Sequence, residues 1–87
     1  RLRHTRDISP PQLRAARALL DWSQPDLAER SGVSIGTIKT FENGKSEPKR
    51  PTLIAWRNAF ADAGVVFAYE DDVGGDGVRF RKERKPR

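Results

Sequence analysis

Residues 24–43 read QPDLAERSGVSIGTIKTFEN, and this stretch decides the fold. It divides into two short helices joined by a tight turn. Ser23 stands where an N-cap belongs, with Asp26 three residues on, so its hydroxyl accepts from a free N–H of the first turn. Pro25 fits there because the N–H it lacks would be unpaired anyway. Leu27, Ala28 and Ser31 fall on one face. Gly32 follows where a left-handed residue is needed to end the helix. Val33 packs the turn. Ser34 then caps a second helix, about 35–42, whose inward residues are Ile38 and Phe41, with Thr37 at its edge.

Working toward the N-terminus, Ser9-Pro10-Pro11-Gln12 is a helix start: a capping serine, proline at the first helical position, and Gln12 placed to complete a capping box. The spacing predicts a helix over about 10–22, with Leu13, Ala16, Leu20 and the stem of Arg17 inward. Trp22 closes it as a core residue, or less simply as a stacking surface. Arg14 and Arg17 are expected to point outward or along the flank of a ligand. Residues 1–8 form a basic arm. His4 is the only histidine, and a lone exposed imidazole reads as a bystander.

Toward the C-terminus, Gly44 to Pro51 (GKSEPKRP) is a loop. A helix over about 51–63 follows, with Leu53, Trp56, Phe60 and Ala63 at helical spacing and Gly64 as its stop. Ile54 and Arg57 lie near a second, more exposed stripe. Val65 to Tyr69 and Val78 to Phe80 are β-branched and aromatic, separated by a stretch rich in turn formers. They predict a β-hairpin with strands about 65–69 and 77–82 and a flexible acidic loop. A basic tail, 83–87, ends the chain.

The residues Leu27, Ala28, Gly32, Val33, Ile38 and Phe41, with the sequel Glu42-Asn43-Gly44…Pro48, resemble the Cro and lambda-repressor-like (XRE) helix-turn-helix family of DNA-binding proteins. The resemblance runs from Pro10 to Gly64. It implies a mainly α fold: a four-helix lambda-repressor-like helix-turn-helix domain over 9–64. Here a C-terminal β-hairpin over 65–82 takes the place of the family's fifth helix.

The resemblance also implies that the second helix of the pair enters the major groove. Its candidate DNA-contacting residues are Ser34, Ile35, Gly36, Thr37, Lys39, Thr40 and Asn43. Gln24 is implied to bind a backbone phosphate and prop the reading helix. Lys45, Lys49 and Arg50 are implied to lie beside flanking phosphates. This reading face has no arginine for a bidentate guanine contact. Ile35 is placed to meet thymine methyls, and Lys39 and Thr40 to meet base edges or phosphates. Gly36 costs about 1 kcal/mol against alanine inside a helix, so it either permits close approach or has no role.

The 87 residues make one domain, with formal net charge +5 and a pI near 10.2, which suits a polyanionic partner. The charge is uneven. Residues 24–43 carry −1 (Arg30 and Lys39 against Asp26, Glu29 and Glu42). Loop 44–51 carries +2 (Lys45, Lys49 and Arg50 against Glu47), and the run 70–76 carries −4 (Glu70, Asp71, Asp72 and Asp76). The tail 79–87 carries +5 (six basic residues against Glu83). Basic charge thus sits in the arms and in the loop after the reading helix.

There is no cysteine, so no disulfide or thiolate metal site exists. No metal or other cofactor is expected, and an enzyme is improbable with one isolated histidine and no nucleophile–base pair. The basic start, RLRHTR, leads into no hydrophobic segment, so a cytoplasmic protein without a membrane partner is expected.

Two functions follow. The first is a transcriptional regulator, a homodimeric repressor acting on an inverted-repeat operator in double-stranded DNA. Its dimer contacts are expected from Val65, Phe67, Tyr69, Val78 and Phe80, because an isolated hairpin is marginal and leaves open edges. A hairpin that only caps the monomer's core is the simpler alternative. The second is a protein-interaction module on the same scaffold, an antitoxin or anti-activator. The net −1 of the helix pair, the apolar Ile35 and Gly36 on the nominal reading face, and the acidic loop favour it.

Overall fold

The computed structural model describes residues 8–82. Most of the basic arm, and the whole of the tail 83–87, lie outside the described residues. Four helices are followed by two strands: α1 (Pro10–Leu20), α2 (Gln24–Ser31), α3 (Ile35–Glu42), α4 (Arg50–Asp62), β1 (Val65–Ala68) and β2 (Gly77–Phe80). This is the expected four-helix domain with a C-terminal hairpin.

Local chemistry sets the helix starts. Ser9 accepts from the Gln12 N–H at 3.2 Å while Gln12 Oε1 accepts from the Ser9 N–H at 2.9 Å. Ser23 and Asp26 make the same reciprocal pair at 3.1 and 2.9 Å. Each box satisfies two N–H groups that the helix itself cannot pair. The two bonds to Asp26, from the backbone and then the hydroxyl of Ser23, hold its carboxyl below the ordinary aspartate range. Ser34 caps α3 through the Thr37 N–H at 3.2 Å. α4 begins at Lys49 with no side-chain cap.

The helix ends are as specific. α2 stops at Gly32, whose φ of 78° is the left-handed conformation that glycine adopts without penalty. α1 ends earlier than its periodicity predicts, at Leu20 rather than Trp22. Asp21 takes the left-handed conformation (φ 59°), and the Trp22 N–H bonds the Arg17 carbonyl at 2.9 Å. The Arg17 side chain takes the Trp22 carbonyl at 3.0 Å, which fixes the bend from both sides.

The core holds Leu13, Ala16, Leu27, Ile38, Phe41, Trp56, Ala59, Phe60 and Val65, with Ile8 at its margin. Trp22, Phe60 and Phe67 form a ladder across it: Trp22 stacks on Phe60 at 5.1 Å, and Phe67 meets Phe60 edge-on at 5.7 Å. Trp22 is therefore a core residue, only half buried, with Arg30 above its outer face at 4.7 Å. Phe41 meets Trp56 at 5.1 Å and ties α3 to α4.

The strands are antiparallel, with Val65 opposite Phe80 and Phe67 opposite Val78. Each is shorter than predicted, four residues long. Side chains alternate, so these four share one face, and that face packs on the helical core. β2 lies against α1 and β1 against α4. Gln12, 4 % exposed, donates through Nε2 to the carbonyls of both Ala68 and Gly77 at 3.1 Å. The Arg81 side chain donates to the Ala61 carbonyl, and its N–H to the Gly64 carbonyl at 2.8 Å.

The acidic connection between the strands is a hydrogen-bonded turn. Asp71 Oδ1 accepts from the N–H groups of Val73 and Gly74 at 2.8 and 3.0 Å, and Asp76 accepts from the Glu70 N–H at 2.8 Å. The Gly74 and Val73 N–H bonds hold the Asp71 carboxyl below its ordinary range.

Candidate nucleic-acid interface

α3 is seated from three directions. Ile38 and Phe41 anchor its inner face in the core. Its C-terminus is gripped by α1. Arg17 makes a fork on the Glu42 carboxylate, Nε to Oε2 and Nη2 to Oε1, both at 2.8 Å. Arg14 donates to the Glu42 carbonyl at 2.7 Å. From α2, Gln24 donates to Glu42 Oε1 at 3.0 Å. Glu42 thus collects bonds from both preceding helices.

Arg14 is exposed, as expected, yet its guanidinium reaches the end of α3, while Arg17 is half buried and turns its head group onto Glu42 rather than outward. Their guanidinium groups are spent on the end of α3, where a helix concentrates partial negative charge and where Glu42 adds a full one. Cations there offset both. Gln24 is partly spent as well, since one hydrogen of its amide lies on Glu42. The propping part of its expected role has a geometric basis, and the second amide hydrogen is left for an outside acceptor.

The outer side of α3 is open. Ser34, Ile35, Gly36, Lys39, Thr40 and Asn43 are exposed, and Thr37 is half buried. Ser34 Oγ and Thr37 Oγ1 bond each other at 3.0 Å, and Thr40 Oγ1 donates to the Gly36 carbonyl at 2.8 Å. Thr40 therefore meets a ligand as an acceptor and through its methyl group. A Cβ added at Gly36 would meet nothing closer than Ser34 Oγ at 4.0 Å, so the fold itself does not require glycine there. Ile35 is 37 % exposed, an apolar side chain at the start of α3.

An open groove runs between α3 and the start of α4. Ser34, Gly36, Thr37 and Thr40 line one wall, and Ser46, Glu47, Pro48, Lys49 and Thr52 the other. The N-terminus of α4, which has no side-chain cap, opens beside it and carries the partial positive charge of a helix start. Lys45, Lys49 and Arg50 are all exposed around this end. Among the described residues, no group of His, Cys, Asp and Glu is arranged to hold a metal ion. None of the described helices is long and apolar enough to cross a membrane.

The hairpin residues have other occupations. Val65 is 1 % exposed and lies in the protomer's own core, so its side chain has no surface to give a partner. Phe67, Val78 and Phe80 are half buried and pack against the same core. The Tyr69 hydroxyl bonds Arg57 at 2.7 Å. The inner face of the hairpin is thus a lid on the helices, and its outward resources are the strand edges.

Sequence reading missed Glu42 as the hub and Gln12 as the hairpin clamp. Both are polar residues buried by partners distant in the chain, at separations of 25 and 65 residues for Arg17 and Gly77. Their one local signal was position: Glu42 ends a helix at the unfavourable pole, and Gln12 sits one turn into an apolar face.

Residues 13–61 match the family model described as "Helix-turn-helix", of the XRE type. No curated protein matches the chain. The matched span runs from α1 nearly to the end of α4 and contains the seated α3, the groove and every residue of the Glu42 hub. The chain belongs to the XRE-type helix-turn-helix family, a family of DNA-binding regulators.

Proposed function

We propose that this protein is a sequence-specific transcriptional repressor that binds an inverted-repeat operator in double-stranded DNA as a homodimer, with its own promoter among its targets. One observation carries the reading. α3 turns an open polar face outward, Lys39 and Thr40 at its centre, while both preceding helices and the core hold the helix in place. The cationic loop and uncapped α4 start lie beside that face, where duplex phosphates would pass. Gln24, Ser34, Ile35, Gly36, Thr37 and Asn43 complete the contact set, with Lys45, Lys49 and Arg50 on phosphates. A dimer would be built through the hairpin edges, since a two-stranded sheet exposes unpaired backbone on each side. Half-sites would then lie about one helical turn apart, or a small multiple. No catalytic activity is part of this reading.

The test is a fluorescence anisotropy titration with DNA from upstream of its own gene, against scrambled duplex, at two salt concentrations. Tight binding to the upstream DNA alone, weakening with salt, is expected. Equal weak binding to both would refute site-specific recognition.

A second reading is favoured by the exposure of Ile35 and the net −1 of residues 24–43: the same face docks another protein, as an antitoxin or anti-activator does. Lys39→Ala with Thr40→Ala separates the two. Operator binding is lost and partner binding kept under the first reading; the reverse holds under the second.

A further inference from the structure

We propose that Glu47 is a specificity-determining residue of the DNA-reading face, its carboxylate accepting a hydrogen bond from the N4 amino group of a cytosine in the major groove. This rests on the DNA-binding reading above.

The placement comes first. Glu47 is exposed on the ridge between two clefts, lining the groove it shares with Gly36, Thr37 and Thr40 of α3 and a second cleft beside Ile8 and Pro10. Among the described residues its carboxylate has no hydrogen-bond or ion-pair partner, although Lys45, Lys49 and Arg50 surround it in sequence. It is the one acid of an otherwise cationic loop.

The chemistry narrows what such a group can do on DNA. A carboxylate only accepts hydrogen bonds, and phosphates are anionic acceptors, so Glu47 gains nothing from the backbone and is repelled by it. The donors a duplex presents in the major groove are cytosine N4 and adenine N6. Adenine places the N7 acceptor beside N6, against a second carboxylate oxygen. Cytosine has a C–H in the corresponding place. Cytosine is therefore the base that a carboxylate reads.

This supplies what α3 lacks. The helix has no arginine for guanine, and the Thr40 hydroxyl hydrogen is already committed to Gly36. A charge-assisted acceptor on the opposite wall would read a G·C pair from its cytosine side. It would also lower affinity for every sequence without a cytosine at that place. The cationic loop then attracts DNA in general, and Glu47 filters it.

The experiment uses the full chain with Glu47→Gln and Glu47→Ala, both at an exposed site, with thermal melts to check folding. Each protein selects duplexes from a randomised pool. Anisotropy then compares the wild-type selected duplex, the same duplex with the selected C·G pair changed to T·A, and a scrambled duplex, at two salt concentrations. The expected result is a cytosine preferred by the wild type about tenfold or more over thymine, within the range of a good base contact. Glu47→Ala should lose that preference, and both variants should bind scrambled DNA more tightly at low salt. Variants that select the same site with unchanged discrimination would overturn the proposal and leave the DNA-binding reading standing. A wild-type protein that prefers no duplex over scrambled DNA would overturn both.

Discussion

Replacing Arg17 by alanine strands the Glu42 carboxylate. That carboxylate is 4 % exposed and its arginine partner 18 %, so solvent screens the pair far less than a surface ion pair. Exposed pairs contribute about 0–1 kcal/mol. Breaking a buried one by removing a single partner costs about 3–5 kcal/mol, because the remaining charge stays desolvated. Arg17 retains some water contact, which places Arg17→Ala near the lower end, about 3 kcal/mol. The Gln24 amide still reaches Oε1, but a neutral donor does not replace the guanidinium.

A chain of 87 residues has a total stability of about 4–13 kcal/mol. The substitution should therefore remove a large fraction of it and lower Tm by roughly 12–24 °C. Urea unfolding followed by circular dichroism, at fixed protein concentration, measures the loss. Glu42→Gln should cost less, about 1–2 kcal/mol, since the charge left unpaired is that of Arg17, which is more exposed and keeps the Trp22 carbonyl. The double variant Arg17→Leu/Glu42→Leu should recover much of the loss, as apolar replacements of buried ion pairs do. If Arg17→Ala costs under about 1 kcal/mol, or its effect adds to that of Glu42→Gln with coupling below about 0.5 kcal/mol, the hub is not the seat of α3.

Further predictions concern the clamp, the reading face and pH. Gln12→Ala leaves the carbonyls of Ala68 and Gly77 without their side-chain donor and should cost about 1–3 kcal/mol, with amide exchange in β1 and β2 accelerating more than in α2. Gly36→Ala should stabilise the fold by up to about 1 kcal/mol in thermal melts, since the added methyl makes only an ordinary contact with Ser34 Oγ at 4.0 Å, yet weaken DNA binding by intruding on the reading face. Asp26 should titrate below the ordinary aspartate value of about 3.9 in carboxyl-carbon NMR. Its depressed pKa adds stability above the unfolded value, and that increment is lost as pH falls through the folded pKa. Asp26→Asn should remove this pH dependence.

The helices were legible because their signals are local. Ser9, Ser23 and Ser34 announce starts, Gly32 a stop, and Leu13, Leu27, Ile38, Trp56 and Phe60 repeat at helical spacing. The hairpin was legible from β-branched and aromatic runs about a turn-rich stretch. Its destination was not. Alternation makes Val65 and Phe67 one apolar face, but an apolar face reads alike whether a second copy or the chain's own helices cover it. The candidate site divides the same way. Exposure of Lys39, Thr40 and Asn43 followed from helical phase. The turn of the Arg17 head group onto Glu42 did not, because it depends on where α3 ends in space and on a buried acid 25 residues away.

The bond between Gln12 and Gly77 has a consequence in time as well as in space. Its partners are 65 residues apart, so the first helix cannot be sealed until nearly the whole described chain has been made. At about 5–20 residues per second, a ribosome takes roughly 3–13 s to supply the missing strand. Through that interval α1 can meet α3, whose Glu42 lies 25 residues from Arg17, while the apolar surface that β1 and β2 will cover stays bare. The hairpin that closes the fold is thus the last described element to be made. A chain that loses its hairpin to proteolysis or premature termination would keep the family-matched helices and expose a sticky flank, a form suited to rapid removal.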